Sequence, residues 1–125
     1  MNDIYQEHIL DHANNPRNKT LIKGEEDCIC GEGDNPSCGD EGEMCVEVGD
    51  GIIQNVQWSG RGCAISQASM SMMSEMLIDK SIKELKLMMP GDVYKMLGIQ
   101  ITPSRVNCAL LSYRALENIL SKIML

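Results

Sequence analysis

At 125 residues the chain is read as one domain, 1–125, long enough to take about two-thirds of its unfolded surface out of water without help from disulfides. Its 11 Lys and Arg against 18 Asp and Glu leave an acidic balance, which excludes nucleic acid as the main partner because phosphate contact needs a basic footprint. No apolar stretch nears the roughly 20 residues that span a bilayer, and no basic start followed by an apolar run marks a signal peptide, so the expectation is a cytoplasmic chain with no membrane partner.

Six cysteines, at 28, 30, 38, 45, 63 and 108, are too sparse and irregular for a small secreted knot. In a reducing compartment they read as metal or catalytic groups rather than disulfides. Phe is absent, Trp occurs once and Met ten times, so thioethers are expected to fill the core gaps that rings would otherwise fill. A methionine metal site is the weaker reading, since soft-metal selectivity would want several Met close to cysteine.

The first predicted element is a helix capped by Asp3, with Gln6 at near capping-box spacing and Tyr5, Ile9 and Ala13 on one face. "NNPRN" ends it. His8 and His12 lie one turn apart, a spacing metals use, but no third ligand is near in sequence and partly exposed helix residues are the simpler reading.

Residues 24–42, "GEEDCICGEGDNPSCGDEG", are rich in Gly and acid, with little room for a core. A short strand over Cys28 to Cys30 puts both cysteines on one face. A chelating Cys-x-Cys pair is the alternative. In "EMCVEVGDGIIQNVQW", Met44, Val46 and Val48 alternate with Glu43, Cys45 and Glu47, while Ile52, Val56 and Trp58 mark the apolar side of a second strand. Gly49-Asp50-Gly51 between them signals a hairpin. Cys45 falls on the polar side and reads as a half-exposed bystander.

"SGRGC" leads into a helix, "CAISQASMSMMSEMLIDK", with Ile65, Ala68, Met72 and Met76 as its apolar stripe. Two shorter helices follow, "SIKELKLMM" and "GDVYKML", around Pro90-Gly91. A last long helix opens at "TPSR", with Thr102 as cap and Pro103 in the first turn, and presents Ala109, Tyr113, Leu116, Leu120 and Ile123. This order predicts an α+β fold: a small antiparallel sheet of about three strands, helices on one face, an N-terminal helix and a long C-terminal one.

Cys38, Cys63 and Cys108 each sit at a junction: a turn before a strand, a Gly-rich loop opening a helix, and the early part of the last helix. Junctions let residues distant in sequence converge, and helix N-termini favour thiolate over thiol. Gly39, Gly60 and Gly62 would leave room for a cofactor or partner to approach. Asp40 can add an oxygen to three thiolates, completing a tetrahedral set. The spacing alone matches no compact zinc finger, so a shared site and scattered free cysteines both stay open on this ground.

The motifs go further. "NPSCGDE", "GRGCAIS" and "RVNCALL", in this order, resemble the three cysteine signatures of the NifU/IscU family of iron–sulfur cluster assembly scaffolds, and "IYQEHILDHANNPRN" resembles that family's opening helix. The resemblance covers nearly the whole chain. It implies that Cys38, Cys63 and Cys108 bind a nascent cluster, a two-iron, two-sulfide one, and that Asp40 tunes how firmly it is held. It also implies a cysteine desulfurase as sulfur source, an iron donor, apo acceptor proteins, and Cys108 as first sulfur acceptor, with Cys63 the alternative. A homodimer that shields the cluster is a further expectation.

The wording of "GRGCAIS" is closest to the SufU-like branch, where the same four residues would hold zinc in a sulfur-transfer component. The interval before the third motif is too short for that branch's insertion. Asn107 stands where IscU proper has a histidine, and "ITPSR" replaces that group's chaperone-recognised segment.

Overall fold

The computed structural model describes residues 6–22, 28–35 and 39–123. Helix α1 (Glu7–Asn14) precedes strands β1 (Cys28–Asn35), β2 (Asp40–Gly49) and β3 (Ile52–Arg61). Then come α2 (Ala64–Leu77), α3 (Ile82–Lys86), α4 (Pro90–Leu97), a 3-10 turn (Pro103–Arg105), α5 (Val106–Ala109) and α6 (Leu111–Ile123). The strands form an antiparallel sheet in the order β1–β2–β3. The expected α+β architecture is the one observed. Asp3 and Tyr5, expected at the start of the first helix, lie outside the described residues.

The core lies between one face of the sheet and the helices. Met44 and Val46 of β2, and Val56 and Trp58 of β3, pack with Ile65, Met70 and Met73 of α2 and Leu111, Leu116 and Ile119 of α6. Met44, Met70 and Met73 are fully buried, so thioethers do fill the place of rings. Each such side chain contributes about 1.5–3 kcal/mol by leaving water.

The Gly-rich segment has a core role that its composition hid. A Cβ at Gly31 would strike the backbone of α6 at Ala115 O and Ile119 N, and one at Gly33 would lie 2.6 Å from Leu111 O. The missing side chains let α6 lie directly on β1. The strand is accordingly longer than expected, reaching Asn35.

Three expectations on burial are corrected. Ile52 is 39% exposed, and Ile53 is buried in its place. The pairing jumps from Glu47–Asn55 to Val48–Ile53, which leaves Gln54 as an extra residue and shifts the alternation by one. On α2, Met72 and Met76 are only half-buried, whereas Ser66, Ser69, Ser71 and Ser74 are buried. That helix is packed by α1, β3, α4, α5 and α6, so a single stripe cannot describe it.

Cys45, third, is no half-exposed bystander. It is 1% exposed and bonded to Cys30, its direct partner across the β1–β2 ladder. The expectation that the cysteines form no disulfide therefore fails at this pair. Strand register supplies the reason, since it sets the two Cα atoms 4.0 Å apart.

The histidines dock α1. His8 Nε2 donates to Leu97 O at 2.6 Å, and His12 Nδ1 pairs with Ser71 Oγ at 2.8 Å. The long C-terminal helix is interrupted at Leu110, whose backbone leaves helical geometry between α5 and α6. Thr102 precedes the 3-10 turn without a side-chain cap bond; its hydroxyl pairs with Ser104 instead. Among the described residues no helix is long and apolar enough to cross a membrane.

Candidate functional site

Three of the four residues singled out in the sequence converge at one end of the sheet. Ligand atoms of Asp40, Cys63 and Cys108 all lie within 4.8 Å of one another. Cys38 lies outside the described residues. Each of the three comes from a different element: Asp40 opens β2, Cys63 is the N-cap residue of α2, and Cys108 sits in the single turn of α5.

The local chain explains the convergence. Asp40 Oδ1 accepts the backbone N–H of Cys63 at 3.0 Å, which fixes the entry to α2 against the start of β2. Ser66 Oγ donates to Cys63 O at 2.9 Å, and Gln67 N–H donates to the same carbonyl at 3.0 Å. Gly62 was expected to leave room for a visitor. Its space is taken instead by the protein: a Cβ there would collide with Asp40 Oδ1 and Ser66 Oγ, on a backbone of φ +154°. Gly60 likewise yields to the backbone of Glu41, whereas a Cβ at Gly39 would meet nothing within 4 Å among the described residues, and the chain turns there at φ +72°.

Burial sets the electrostatics. Asp40 is 2% exposed, Cys108 is fully buried and Cys63 is half-buried. Burial, with the Asp40 carboxylate and the Cys63 thiol alongside, pushes the Cys108 thiol far above the ordinary cysteine range. Asp40 Oδ2 is buried and, among the described residues, has no hydrogen-bond partner. A buried carboxylate oxygen left alone is costly. Two sulfurs and an orphaned oxygen at this spacing suit a thiophilic cation, or an assembly of such cations, which would take the oxygen's charge and displace the thiol protons.

Sequence reasoning missed the serines that hold this arrangement. Ser69 Oγ donates to Ala109 O at 2.7 Å and pairs with Ser112 Oγ at 2.7 Å, tying α2 to the turn that carries Cys108. Ser71 Oγ accepts from Arg17 N–H, and Ser74 Oγ meets Arg17 O and Asn18 Nδ2, anchoring the segment after α1 along the same helix. The signal was there: Ser66 and Ser69, then Ser71 and Ser74, form two pairs three residues apart in a segment rich in Met and Ala. Asn107 is exposed, and its Oδ1 accepts from Arg114 at 2.6 Å.

Comparison with known proteins places the chain in a family. The profile of the NifU-like N-terminal domain matches residues 4–123. The chain is 34% identical to the iron–sulfur cluster assembly scaffold protein IscU of Thermotoga maritima, over 96% of this chain and 94% of that one. It is 31% identical to the zinc-dependent sulfurtransferase SufU of Bacillus subtilis, over 98% and 92%. A crystal structure of a SUF-system protein from Fervidobacterium islandicum superposes with a TM-score of 0.73 at 33% identity, covering 94% of this chain and 96% of that one. The chain belongs to the NifU-like N-terminal domain family.

Proposed function

We propose that this member of the NifU-like N-terminal family is a scaffold on which an iron–sulfur cluster is assembled and from which it is handed on. The observation that carries the reading is the meeting of Asp40, Cys63 and Cys108 around an orphaned carboxylate oxygen. The cluster is cargo. Thiolates are its usual ligands, and a two-iron, two-sulfide unit is the proposed cargo, with Cys38 proposed as the third sulfur. A carboxylate is a harder and poorer ligand than thiolate, so Asp40 would favour release over storage.

The sulfur would come from a cysteine desulfurase as persulfide, the iron from a separate donor, and the product would pass to apo acceptor proteins. Cys108 is the proposed first sulfur acceptor. Its burial and protonated thiol mean that the docked desulfurase must open the site or take up that proton. Cys63, half-buried at the mouth of α2, is the second candidate. A second copy of the chain placed over Cys63 would protect the cargo.

A second reading rests on the likeness to the zinc-dependent SufU and on "GRGCAIS": the same residues would hold zinc, and ligand exchange would free a cysteine to carry sulfur. One experiment separates the two. Protein purified anaerobically is analysed for its absorption spectrum, iron, acid-labile sulfide and zinc on one sample. Visible bands with matched iron and sulfide support the scaffold. Colourless protein with about one tightly held zinc per chain supports sulfur transfer.

A further inference from the structure

The face of the sheet turned away from the helices carries sulfur of its own, which the site at Asp40 does not use. Met44 and Val46 point into the core, so Cys45 between them points out, and it is absent from the core cluster. Cys30 lies opposite it and Cys28 is two residues along the same strand, hence on the same face. The partner opposite Cys28 is Glu47. Two neighbouring rungs of one ladder therefore present Cys30–Cys45 and Cys28–Glu47 together.

We propose that these residues form a second, redox-gated metal site, which in its reduced state binds a thiophilic divalent cation through Cys28, Cys30 and Cys45 with Glu47 as oxygen donor, and which the Cys30–Cys45 disulfide closes. The donor set is that of a tetrahedral thiolate-rich site. The spacing permits it. The rungs are about 6.8 Å apart along the strand and side chains lean along it, while thiolates at about 2.3 Å from a common metal lie about 3.8 Å from each other. Glu32 and Glu43 form the next rung on the other side of Cys30–Cys45 and add a field that draws cations, against which Lys122 donates to Cys30 O at the strand edge.

The gate is a two-electron exchange. A thiolate of an external dithiol attacks a sulfur of the Cys30–Cys45 bond, forming a mixed disulfide; its second thiol then displaces the remaining cysteine. The dithiol leaves as a disulfide, and two protons end on Cys30 and Cys45. Cation binding next releases three thiol protons. Cys30 is half-buried and Cys45 is not accessible, so attack falls on Cys30. A protein-borne disulfide in a reducing compartment is more often regulatory than structural.

The test titrates the full chain with cobalt(II) after reduction and, separately, after mild oxidation, and follows near-ultraviolet thiolate-to-cobalt charge transfer. Mass spectrometry after alkylation counts the thiols. The oxidised protein should show two fewer thiols than its six cysteines and lack one class of cobalt site that the reduced protein has. That class should vanish in Cys30→Ser and in Cys28→Ser yet persist in Cys108→Ser, which separates it from the Asp40 site. Circular dichroism confirms that each variant is folded, and Cys28→Ser decides should Cys30→Ser unfold. The proposal is overturned if the reduced protein binds cobalt at the Asp40 site only, if the extra binding survives both variants, or if it is equal in the oxidised protein.

Discussion

Asp40 Oδ1 holds the backbone N–H of Cys63 at 3.0 Å while Oδ2 of the same carboxylate has no partner among the described residues. One oxygen thus serves the fold, and the other is the one that the proposed function assigns to cargo. The two roles can be separated. Asp40→Ala removes both and should cost about 1 kcal/mol from the lost hydrogen bond. Asp40→Asn keeps an acceptor for Cys63 and should stay near wild-type stability. In both, a reconstituted cluster should outlast the wild-type one when challenged with an iron chelator, read as decay of visible absorbance. Faster decay in either variant would refute a release role for Asp40.

Cys108 should be the slow thiol of the free protein. It is fully buried, and burial with its two neighbours raises its pKa, so little thiolate is presented to a reagent. Alkylation near pH 8, followed by peptide mass spectrometry, should modify Cys108 at least ~10-fold more slowly than Cys63. With a desulfurase and cysteine present, Cys108→Ser should lose persulfide uptake. Undiminished uptake would move the acceptor role to Cys63.

Gly62→Ala tests the tightness of the entry to α2. Its Cβ would run into Asp40 Oδ1 and Ser66 Oγ, on a backbone that L residues rarely adopt. A cost of about 1–3 kcal/mol is expected from the strain, with reduced cluster loading because Asp40 must move. Chemical denaturation and reconstitution yield, measured together, check both. Full loading at wild-type stability would show that the loop yields without cost.

Gly31→Ala asks whether α6 sits on bare backbone. The added methyl would overlap the α6 backbone at Ala115 and Ile119, far from the candidate site. Overpacking of this kind costs about 1–3 kcal/mol. The thermal midpoint should fall by several degrees while the spectrum of any bound cluster keeps its shape.

His12 predicts a pH arm. Burial, with the charge of Arg17 nearby, holds its pKa below the ordinary value of 6.5, against the pull of Glu75 and Asp11. Such a histidine takes its proton more readily unfolded than folded. Its stabilising contribution is therefore full above 6.5, declines as pH falls from 6.5 towards the lower folded value, and is level below that. Urea midpoints across this window should fall more steeply in the wild type than in His12→Gln. Equal slopes would assign the arm to another group.

Much of this was legible in the sequence, and the reasons are local. Alternation at Met44, Val46 and Val48 and the Gly-Asp-Gly turn are short-range signals, and they placed β2, β3 and the hairpin. Where the pattern broke, at Ile52 and Ile53, the cause was one extra residue in β3, which only strand pairing reveals. The stripe on α2 failed because that helix is surrounded, and its serines bond to elements that precede and follow it in the chain.

For the candidate site, the sequence by itself singled out the candidate residues: three cysteine motifs with an acid beside the first, in a recognisable family order. It also set Cys63 and Cys108 at junctions, where the structure has them. That Asp40, Cys63 and Cys108 lie within 4.8 Å was decided by tertiary structure alone, through β2 meeting the start of α2 and Ser69 fastening the turn of Cys108. Strand register likewise joined Cys30 to Cys45, which local alternation had left apart. Periodicity reports which way a side chain faces, but only packing and register, set by contacts distant in sequence, determine what it faces.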